Sequence, residues 1–396
     1  MQIREIHFNH DPKAGGTIPL SKGPGTGRDG PRTAITAPEW LDGVSQPVAY
    51  ARGSLKGPVT IKVRFIDGPP GQRITIRAVG PLEAGLRPTG PTRTNTPMGN
   101  VEPRVVGFDR NGDSGLVTFE LSDRLRQAKV DLINVTWDWQ EHIAGERWRD
   151  FAKTYHYVYV TLHMPTRPWK YSVDVQSLAW VEALHLAWEW TAGASTTDEC
   201  ILKIATALNQ HSKLTYDESG KQFVTTDMMT KVSKFQLAAF LAAIKGASSV
   251  TIDCQGIANA LITFANLMGA DLWRLQLEDS SGWIRTRRIL PLSGPNWVLE
   301  TWGWHEVAVD PQSPVSDNTG AFMPGASIVA NQALVGHEGK LVKVYDANLH
   351  LNDSAPVFPI GIHLGIARSG DQQYRDLFVR TGDATKSTPF VAMPVE

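Results

Sequence analysis

The order of hydrophobic patterns along the chain limits its possible folds more than any other feature. Up to about residue 140, short apolar runs stand between turns, and about half of the 25 prolines lie in the first hundred residues. Short strands separated by Gly/Pro turns are typical of a β-sandwich or a related all-β domain. From residue 173 the periodicity becomes helical, and β-like runs return after Gly269. The order predicts an α+β protein with a β-rich, sandwich-like domain over 1–140, a junction over 141–172 and a mixed domain over 173–396.

Strand-like runs in the first part of the chain can be placed individually. They cover residues 59–65, 73–79, 104–108, 116–121 and 130–137, and a further one covers 152–164. Residues 80–100 carry several prolines and are expected to form a long exposed loop. His156 and His163 lie seven positions apart in the last run and would face opposite sides of a sheet. We expect both to be sheet histidines, not ligands of one metal.

One segment has the spacing of a calcium-binding loop. Acidic or amide side chains occupy its positions 1, 3, 5 and 12, which are Asp109, Asn111, Asp113 and Glu120. The sixth position, which needs glycine for the sharp turn, is Ser114. The flanks also have strand character, so we predict a β-hairpin with an Asn-Gly-Asp turn and no metal. Calcium binding is the alternative.

Composition argues against several classes of protein. The formal net charge of −1 gives no basic surface for nucleic acid, and no apolar run reaches the roughly 18 residues of a membrane span. The first residues lack a basic segment followed by an apolar one, so no secretory signal is predicted. Two cysteines argue against a disulfide framework. We expect a cytoplasmic protein without cofactor or metal, and export by a signal-independent route stays open.

Residues 248–269, SSVTIDCQGIANALITFANLMG, carry the strongest chemical signal. Apolar residues at three- and four-residue spacing form one stripe of a helix: Ile257, Leu261, Phe264 and Met268. Asp253 suits the N-cap of that helix, and Gly269 suits a left-handed C-cap. Cys254 is therefore predicted in the first turn of a helix that packs into a core.

A cysteine in this position is a candidate nucleophile that needs a base. A free thiol has a pKa of about 8.5, and a helix N-terminus favours the thiolate by roughly 0.3–1 kcal/mol and at most about 2, which lowers that pKa by little more than one unit. A histidine held by a third group is the usual supplement. The alternative is that Cys254 is a small buried hydrophobe. Cys200 has no base nearby in sequence and is expected to be structural, inside a helix capped by Thr196 and Glu199.

His305 is the best candidate base because it lies in a predicted strand, 297–309, downstream of the helix. The segment is no zinc-protease motif, since Val309 stands where a second histidine is required. Asp310 is five residues along the same strand, about 16 Å away and on the other face. Asp346 ends another predicted strand, 341–345, that could pair beside His305 at about 4.8 Å. Strand geometry therefore favours Asp346, and the alternative for His305 is a structural histidine.

These elements, in this order, resemble the transglutaminase-like family of cysteine enzymes. That family has a helix leading to a tyrosine segment, here 208–216, then a helix opened by the nucleophile, here Cys254, then a sheet that carries histidine and aspartate. The resemblance covers about two-fifths of the chain, over residues 196–347. It implies a papain-like α+β catalytic domain and a triad of Cys254, His305 and Asp346 that acts on amide carbonyls.

The sequence departs from the family pattern after the histidine. Many members read His-x-Trp there, whereas this chain reads His305-Glu306-Val307. Its Asp-Pro step, Asp310-Pro311, comes too soon, which implies an inserted loop over 311–339. A loop of that length could act as a lid.

The resemblance implies two outcomes for an acyl-enzyme on Cys254. Water would give a peptidase, amidase or deamidase, and an amine would give a transglutaminase. We favour hydrolysis of a peptide or protein, with the Cys254 N–H as oxyanion donor. The alternative is a catalytically inactive transglutaminase-like protein that serves as a binding or scaffold module.

Overall fold

The computed structural model divides the chain into two compact units. Unit 1 comprises Met1–Met164, Leu178–Trp188 and Ala192–Ser195, and unit 2 comprises Pro165–Ser177, Glu189–Thr191 and Thr196–Glu396. The residues described are 1–8, 15–23, 32–80, 98–122, 125, 129–143, 145–169, 177–226, 233–279, 283–286, 289–293, 298, 300–310, 342–351, 363–366, 385–390, 393 and 395. Within them the protein is α+β, with four α-helices and many short strands.

Unit 1 is built mainly from strands, with one 3-10 turn at Arg52–Ser54. The strands are β1 (Gln2–His7), β2 (Leu20–Lys22), β3 (Thr33–Ala34), β4 (Trp40–Leu41), β5 (Val44–Ser45), β6 (Val48–Ala51), β7 (Thr60–Ile66), β8 (Arg73–Val79), β9 (Val101–Gly107), β10 (Leu116–Glu120), β11 (Asp131–His142), β12 (Arg149–Thr161) and β13 (Ala179–Trp180). Two five-stranded sheets have the orders β10-β7-β1-β4-β5 and β6-β12-β11-β8-β9, and a small third sheet has the order β13-β2-β3.

The two large sheets of unit 1 share one aromatic core. Every second residue of β7 is buried, which places Ile61, Val63 and Phe65 on the inner face. The Phe65 ring meets Trp139 of the other sheet edge to face, with centroids 5.7 Å apart. The alternation that predicted these strands therefore reflects burial of one face of each sheet.

The segment that resembles a calcium loop is a crossover between the two sheets. β9 pairs with β8 in one sheet, and β10 pairs with β7 in the other. The predicted hairpin is therefore wrong, because the choice of partner strand depends on long-range pairing that a turn sequence does not encode. Asp109 Oδ1 accepts the N–H groups of Asn111 and Asp113 at 2.8 Å, and the Asp113 carboxylate pairs with Arg64. The carboxylates thus hold the turn.

Residues 141–172, predicted as a junction, contain all of the long strand β12 and the end of β11. β11 and β12 form an antiparallel ribbon that belongs to unit 1. His156 lies buried in β12, and its Nε2 is 2.9 Å from Thr154 Oγ1. His163 is exposed and lies beyond the end of β12, so the prediction of a sheet histidine is wrong there. The strand ends before the predicted limit, ahead of Pro165.

Unit 2 contains the helices α2 (Thr197–Asn209), α3 (Leu237–Lys245) and α4 (Cys254–Leu267), whereas α1 (Val181–Thr191) is divided between the units. Its strands are β14 (Leu214–Lys221), β15 (Val224–Thr226), β16 (Ser233–Phe235), β17 (Val250–Ile252), β18 (Trp273–Asp279), β19 (Ile284–Arg285), β20 (Ile289–Pro291), β21 (Thr301–Trp302), β22 (Trp304–Asp310), β23 (Val342–Tyr345), β24 (Leu349–Leu351), β25 (His363–Ile366) and β26 (Thr385–Phe390).

An antiparallel sheet organises unit 2. Its order is β25-β23-β22-β18-β26, and α4 packs against its central part. One face carries a cluster of buried apolar side chains from β18, β22 and their neighbours: Leu275, Leu277, Ile284, Trp302, Val307, Val309 and Leu349. Four two-stranded pairs complete the described sheets of this unit, of which β14-β17 is parallel and leads directly into α4.

The helix predictions succeed where a cap defines the start. Thr196 Oγ1 accepts the Glu199 N–H at the start of α2, and Gly269 has φ +94° just after α4. α1 begins at Val181, later than the predicted helical pattern, because Ala179 and Trp180 pair with β2 as a strand. Strand 297–309 is interrupted at Gly303, which separates β21 from β22.

Two predicted loops lie largely or wholly outside the described residues. They are 311–339 and most of 80–100. In the described part of the chain, no helix combines the length and hydropathy needed to cross a bilayer. The same residues contain no group of three or more His, Cys, Asp or Glu side chains arranged for a metal ion.

Candidate active site

Cys254 is the first residue of α4. Asp253 caps the helix, and its Oδ1 accepts the Gly256 N–H at 2.8 Å. The preceding strand, β17, pairs in parallel with β14, which sets Tyr216 opposite Ile252. The Asp253 carboxylate thus satisfies an N–H group of the first turn that has no acceptor within the helix. The local sequence therefore fixes Cys254 where strand β17 turns into helix α4.

The Cys254 thiol is closed off from solvent. The residue is 5% exposed, and its Sγ accepts a hydrogen bond from the backbone N–H of Glu306. Burial raises the pKa of the thiol well above its ordinary value, and the nearby carboxylate of Asp253 raises it further. The Glu306 N–H opposes that rise. In this closed arrangement the thiol is held protonated.

His305 and Asp346 come together from neighbouring strands. His305 Nε2 lies 3.0 Å from Asp346 Oδ2, and both residues are buried. β22 pairs with β23 so that Ala308 faces Tyr345, which brings the start of β22 beside the residue after β23. Asp310 lies opposite Lys343 in the strand register, at the other end of β22. Of the two aspartates considered from the sequence, Asp346 is the one that reaches His305.

The segment after β23 is fixed by several hydrogen bonds. Asp346 Oδ1 accepts the Asn348 N–H at 2.7 Å, which leaves Oδ2 directed at the imidazole. Asn209 of α2 donates to the Ala347 carbonyl at 2.8 Å, and the Tyr345 hydroxyl donates to Asp198 at 2.8 Å. The carboxylate that orients His305 is therefore itself oriented from both sides.

Aromatic rings form one wall around the imidazole. The Trp302 ring lies 5.1 Å from that of His305 and 5.8 Å from that of Tyr216. Burial raises the pKa of Glu218, and the nearby Trp302 indole opposes that rise. Burial raises the pKa of Tyr216, and the negative charge of a Cys254 thiolate would raise it further, so the Tyr216 hydroxyl stays protonated. The sequence analysis identified the segment that contains Tyr216. Nothing in the sequence distinguished Trp302 from the other tryptophans.

A buried ion pair lies directly beside the thiol. Glu306 is 1% exposed, and its Oε1 accepts hydrogen bonds from Arg274 Nη1 at 3.1 Å and from Gln255 Nε2 at 3.2 Å. Burial raises the pKa of Glu306, and the Arg274 charge opposes that rise. Sequence reasoning missed both Glu306 and Arg274. The available signal was a single carboxylate in an apolar strand, HEVAV, which requires a cationic or polar partner when buried.

Cys200 lies apart from this chemistry. It is buried within α2, and burial raises the pKa of its thiol to about 12. The His305–Asp346 pair, in contrast, lies on and beside neighbouring strands of the sheet against which α4, the helix that begins at Cys254, packs. An imidazole held by a carboxylate is the arrangement of a general base in enzymes that use a nucleophilic side chain.

Comparisons with known proteins show distant structural similarity without a match in sequence. No family model matches the sequence. No curated protein matches it either. Among solved structures, the crystal structure of red sea bream transglutaminase is similar over 80% of this chain and 51% of that chain, with 11% sequence identity and a TM-score of 0.36. This chain thus spans about half the length of that transglutaminase chain.

Proposed function

We propose that the protein is a transglutaminase-like thiol enzyme that acts on amide bonds of a peptide or protein through Cys254, His305 and Asp346. The observation that carries the proposal is the buried hydrogen bond between His305 and Asp346, on a sheet that packs against the helix opened by Cys254. Sγ accepts the N–H of Glu306, the residue next to His305, and the His305 imidazole is 3.0 Å from Asp346. Three segments distant in sequence supply these groups, as the resemblance to transglutaminase-like enzymes implies.

In the proposed reaction His305 serves as the base and then as the acid. Because Nε2 bonds Asp346, proton exchange with the thiol is assigned to Nδ1. The thiol gives its proton to Nδ1 as the sulfur attacks the amide carbonyl carbon, and the imidazolium returns that proton to the leaving amine. Asp346 holds the tautomer and stabilises the imidazolium. A thioester on Cys254 and a free amine result.

The oxyanion of the tetrahedral intermediate needs donors near the sulfur. The Cys254 N–H is one candidate, since it belongs to the first turn of α4. The Tyr216 hydroxyl is a second candidate because it stays protonated and because Tyr216 lies on β14, which pairs with the strand that leads into Cys254. Two preorganised donors of this kind are typical of acyl-transfer sites.

We propose hydrolysis as the second half of the reaction. Water attacks the thioester carbonyl, His305 removes its proton, and the thiolate leaves as the carboxylate product forms. The same thioester would react with an amine to give a new amide, which is the transglutaminase outcome. A product analysis with and without added primary amine separates the two.

The test is turnover of a peptide and amide library by wild type and by Cys254→Ala. The expected result is cleavage or deamidation with the wild type and none with the variant, and Cys200→Ala serves as the matched control with retained activity. Equal turnover by Cys254→Ala and the wild type would end the proposal.

One observation favours a second candidate, a catalytically inactive binding or scaffold protein. The thiol is buried, and burial raises its pKa well above the ordinary value, as it does for the structural Cys200. The candidates differ in how Cys254 responds to His305. An enzyme requires that removal of the imidazole change the reactivity of the thiol, whereas an inert buried thiol does not respond.

A further inference from the structure

The link between Glu306 and the first turn of α4 has a role in the proposed reaction. We propose that Glu306 and Gln255 are positioning residues that hold the Cys254 sulfur against the strand of the proposed base. The inference rests on the proposed function and deepens it. It starts from one residue, Glu306, that makes contact with the nucleophile through its backbone and with the residue after the nucleophile through its side chain.

The backbone contact is the first half of the link. The Glu306 N–H donates to Cys254 Sγ, and Glu306 directly follows His305. Because both residues belong to β22, a shift of this strand along α4 would break the hydrogen bond to Sγ and would also move the His305 imidazole relative to the Cys254 thiol. The relative register of strand and helix is thus part of the reacting geometry, in which a displacement of about 1 Å can cost about a hundredfold in rate.

The side-chain contact is the second half. Glu306 Oε1 accepts Gln255 Nε2–H at 3.2 Å, so the same residue contacts the side chains of both Cys254 and Gln255. Gln255 is the one residue of α4 that is not fully buried. Two attachments to adjacent residues of the helix resist both sliding and rotation of its first turn against β22.

Arg274 stabilises the Glu306 carboxylate in its buried position. It lies on β18, where Gln276 pairs with Glu306 and Arg274 is the diagonal neighbour on the same face. Its Nη1 lies 3.1 Å from the Glu306 carboxylate, and both side chains are almost fully buried. A lone carboxylate in this position would be strongly destabilising. Arg274 therefore offsets part of the cost of burying the Glu306 carboxylate and holds it in place as the acceptor for Gln255.

The test uses Gln255, because its replacement leaves the buried ion pair intact. Gln255→Met keeps the shape and removes the donor, Gln255→Asn keeps the donor and shortens its reach, and Gln255→Lys keeps both reach and donor. Alkylation of Cys254 by iodoacetamide is followed by site-resolved mass spectrometry from pH 6 to pH 10. Thermal unfolding checks the fold of each variant. Glu182→Gln, which removes the partner of Arg32 in unit 1, is the matched control.

We expect Gln255→Met and Gln255→Asn to alkylate Cys254 about tenfold more slowly near neutral pH, with profiles moved to higher pH. Gln255→Lys should react at least as fast as the wild type, because its charge also favours the thiolate. Wild-type profiles for Gln255→Met and Gln255→Asn would overturn the inference, as would equal slowing by Gln255→Lys. Since alkylation needs no amide substrate, a failure of the proposed function is distinguishable from a failure of this link.

Discussion

At the scale of single residues, Asp346 determines which nitrogen of His305 carries a proton. Its Oδ1 is held by the Asn348 N–H at 2.7 Å, so Oδ2 faces the imidazole and accepts Nε2–H. Nδ1 is then the basic nitrogen. The direction of the Asp346 carboxylate is fixed by the backbone of its own loop, which makes the tautomer of His305 a consequence of local structure.

Asp346→Asn should therefore reverse the tautomer with little change in shape. The Asn348 N–H requires an oxygen at the Oδ1 position, so the new NH₂ group faces His305 and forces the proton onto Nδ1. We expect kcat to fall by about 10²–10⁴-fold. Asp310→Asn, at the other end of β22, is the control and should retain kcat. A similar loss in both variants would show that Asp346 has no special relation to the base.

Gly220 packs against the backbone of Ile252 and Asp253, the two residues that precede Cys254. A Cβ at this position would stand 2.5 Å from the Ile252 carbonyl carbon and 2.8 Å from the Asp253 nitrogen. Backbone atoms of a paired strand cannot move away as a flexible side chain can. Gly220→Ala should destabilise the protein by about 1–3 kcal/mol and slow alkylation of Cys254. Gly57→Ala, where a Cβ meets nothing within 4 Å, is the matched control in denaturant titrations.

At the scale of elements, the start of α4 combines two effects of opposite sign on the thiol. The helix N-terminus and the Glu306 N–H favour the thiolate, whereas burial and the Asp253 charge disfavour it. Asp253, which caps α4, thus carries a negative charge that disfavours the thiolate form of Cys254. A general base is needed for this reason, and a preformed thiolate is not expected.

Substitutions of Asp253 separate the cap from its charge. Asp253→Asn keeps an acceptor for the Gly256 N–H and removes the negative charge, so the pKa of the thiol should fall while stability changes little. Asp253→Ala removes both and should cost about 0.5–2 kcal/mol. The measurement is the pH profile of Cys254 alkylation together with the unfolding free energy. An unchanged profile in Asp253→Asn would contradict the electrostatic part of the account.

Sequence reasoning succeeded for elements whose signals are local. The caps of α2 and α4 and the alternation in β7 and β8 each follow from a few neighbouring residues. The partner strands were not predictable in the same way, because pairing depends on distant residues. The segment between β9 and β10 shows this, since its turn sequence predicts a hairpin and the two strands belong to different sheets. The buried Arg274–Glu306 pair was missed for the same reason. Asp346 could be favoured over Asp310 only because strand geometry limits how far a side chain can reach.

At the scale of the whole molecule, unit 1 carries a buried titratable group that makes stability depend on pH. His156 packs against Phe8 and Trp137, and burial lowers its pKa to about 3. In the unfolded chain its pKa is about 6.5. Between these values the unfolded state binds more protons than the folded state, so stability falls as the pH drops from about 6.5 towards 3.

His156→Leu should reduce that acid sensitivity. The wild type is expected to lose up to about 1.4 kcal/mol per pH unit through this histidine below about pH 6, and the variant should lose less. Urea unfolding between pH 4 and pH 7 measures the slope. The exposed His163→Leu is the control and should keep the wild-type slope. Parallel slopes for wild type and His156→Leu would show that this group does not contribute.

The most direct test of the central claim is the rate of Cys254 alkylation at pH 7 in the wild type and in His305→Gln, with Cys200 as the internal reference. If the imidazole serves the thiol, Cys254 reacts faster than Cys200 in the wild type and loses at least about tenfold in rate in the variant. If Cys254 reacts no faster than Cys200 and is indifferent to His305, the thiol is an inert core residue and the proposed enzyme does not exist.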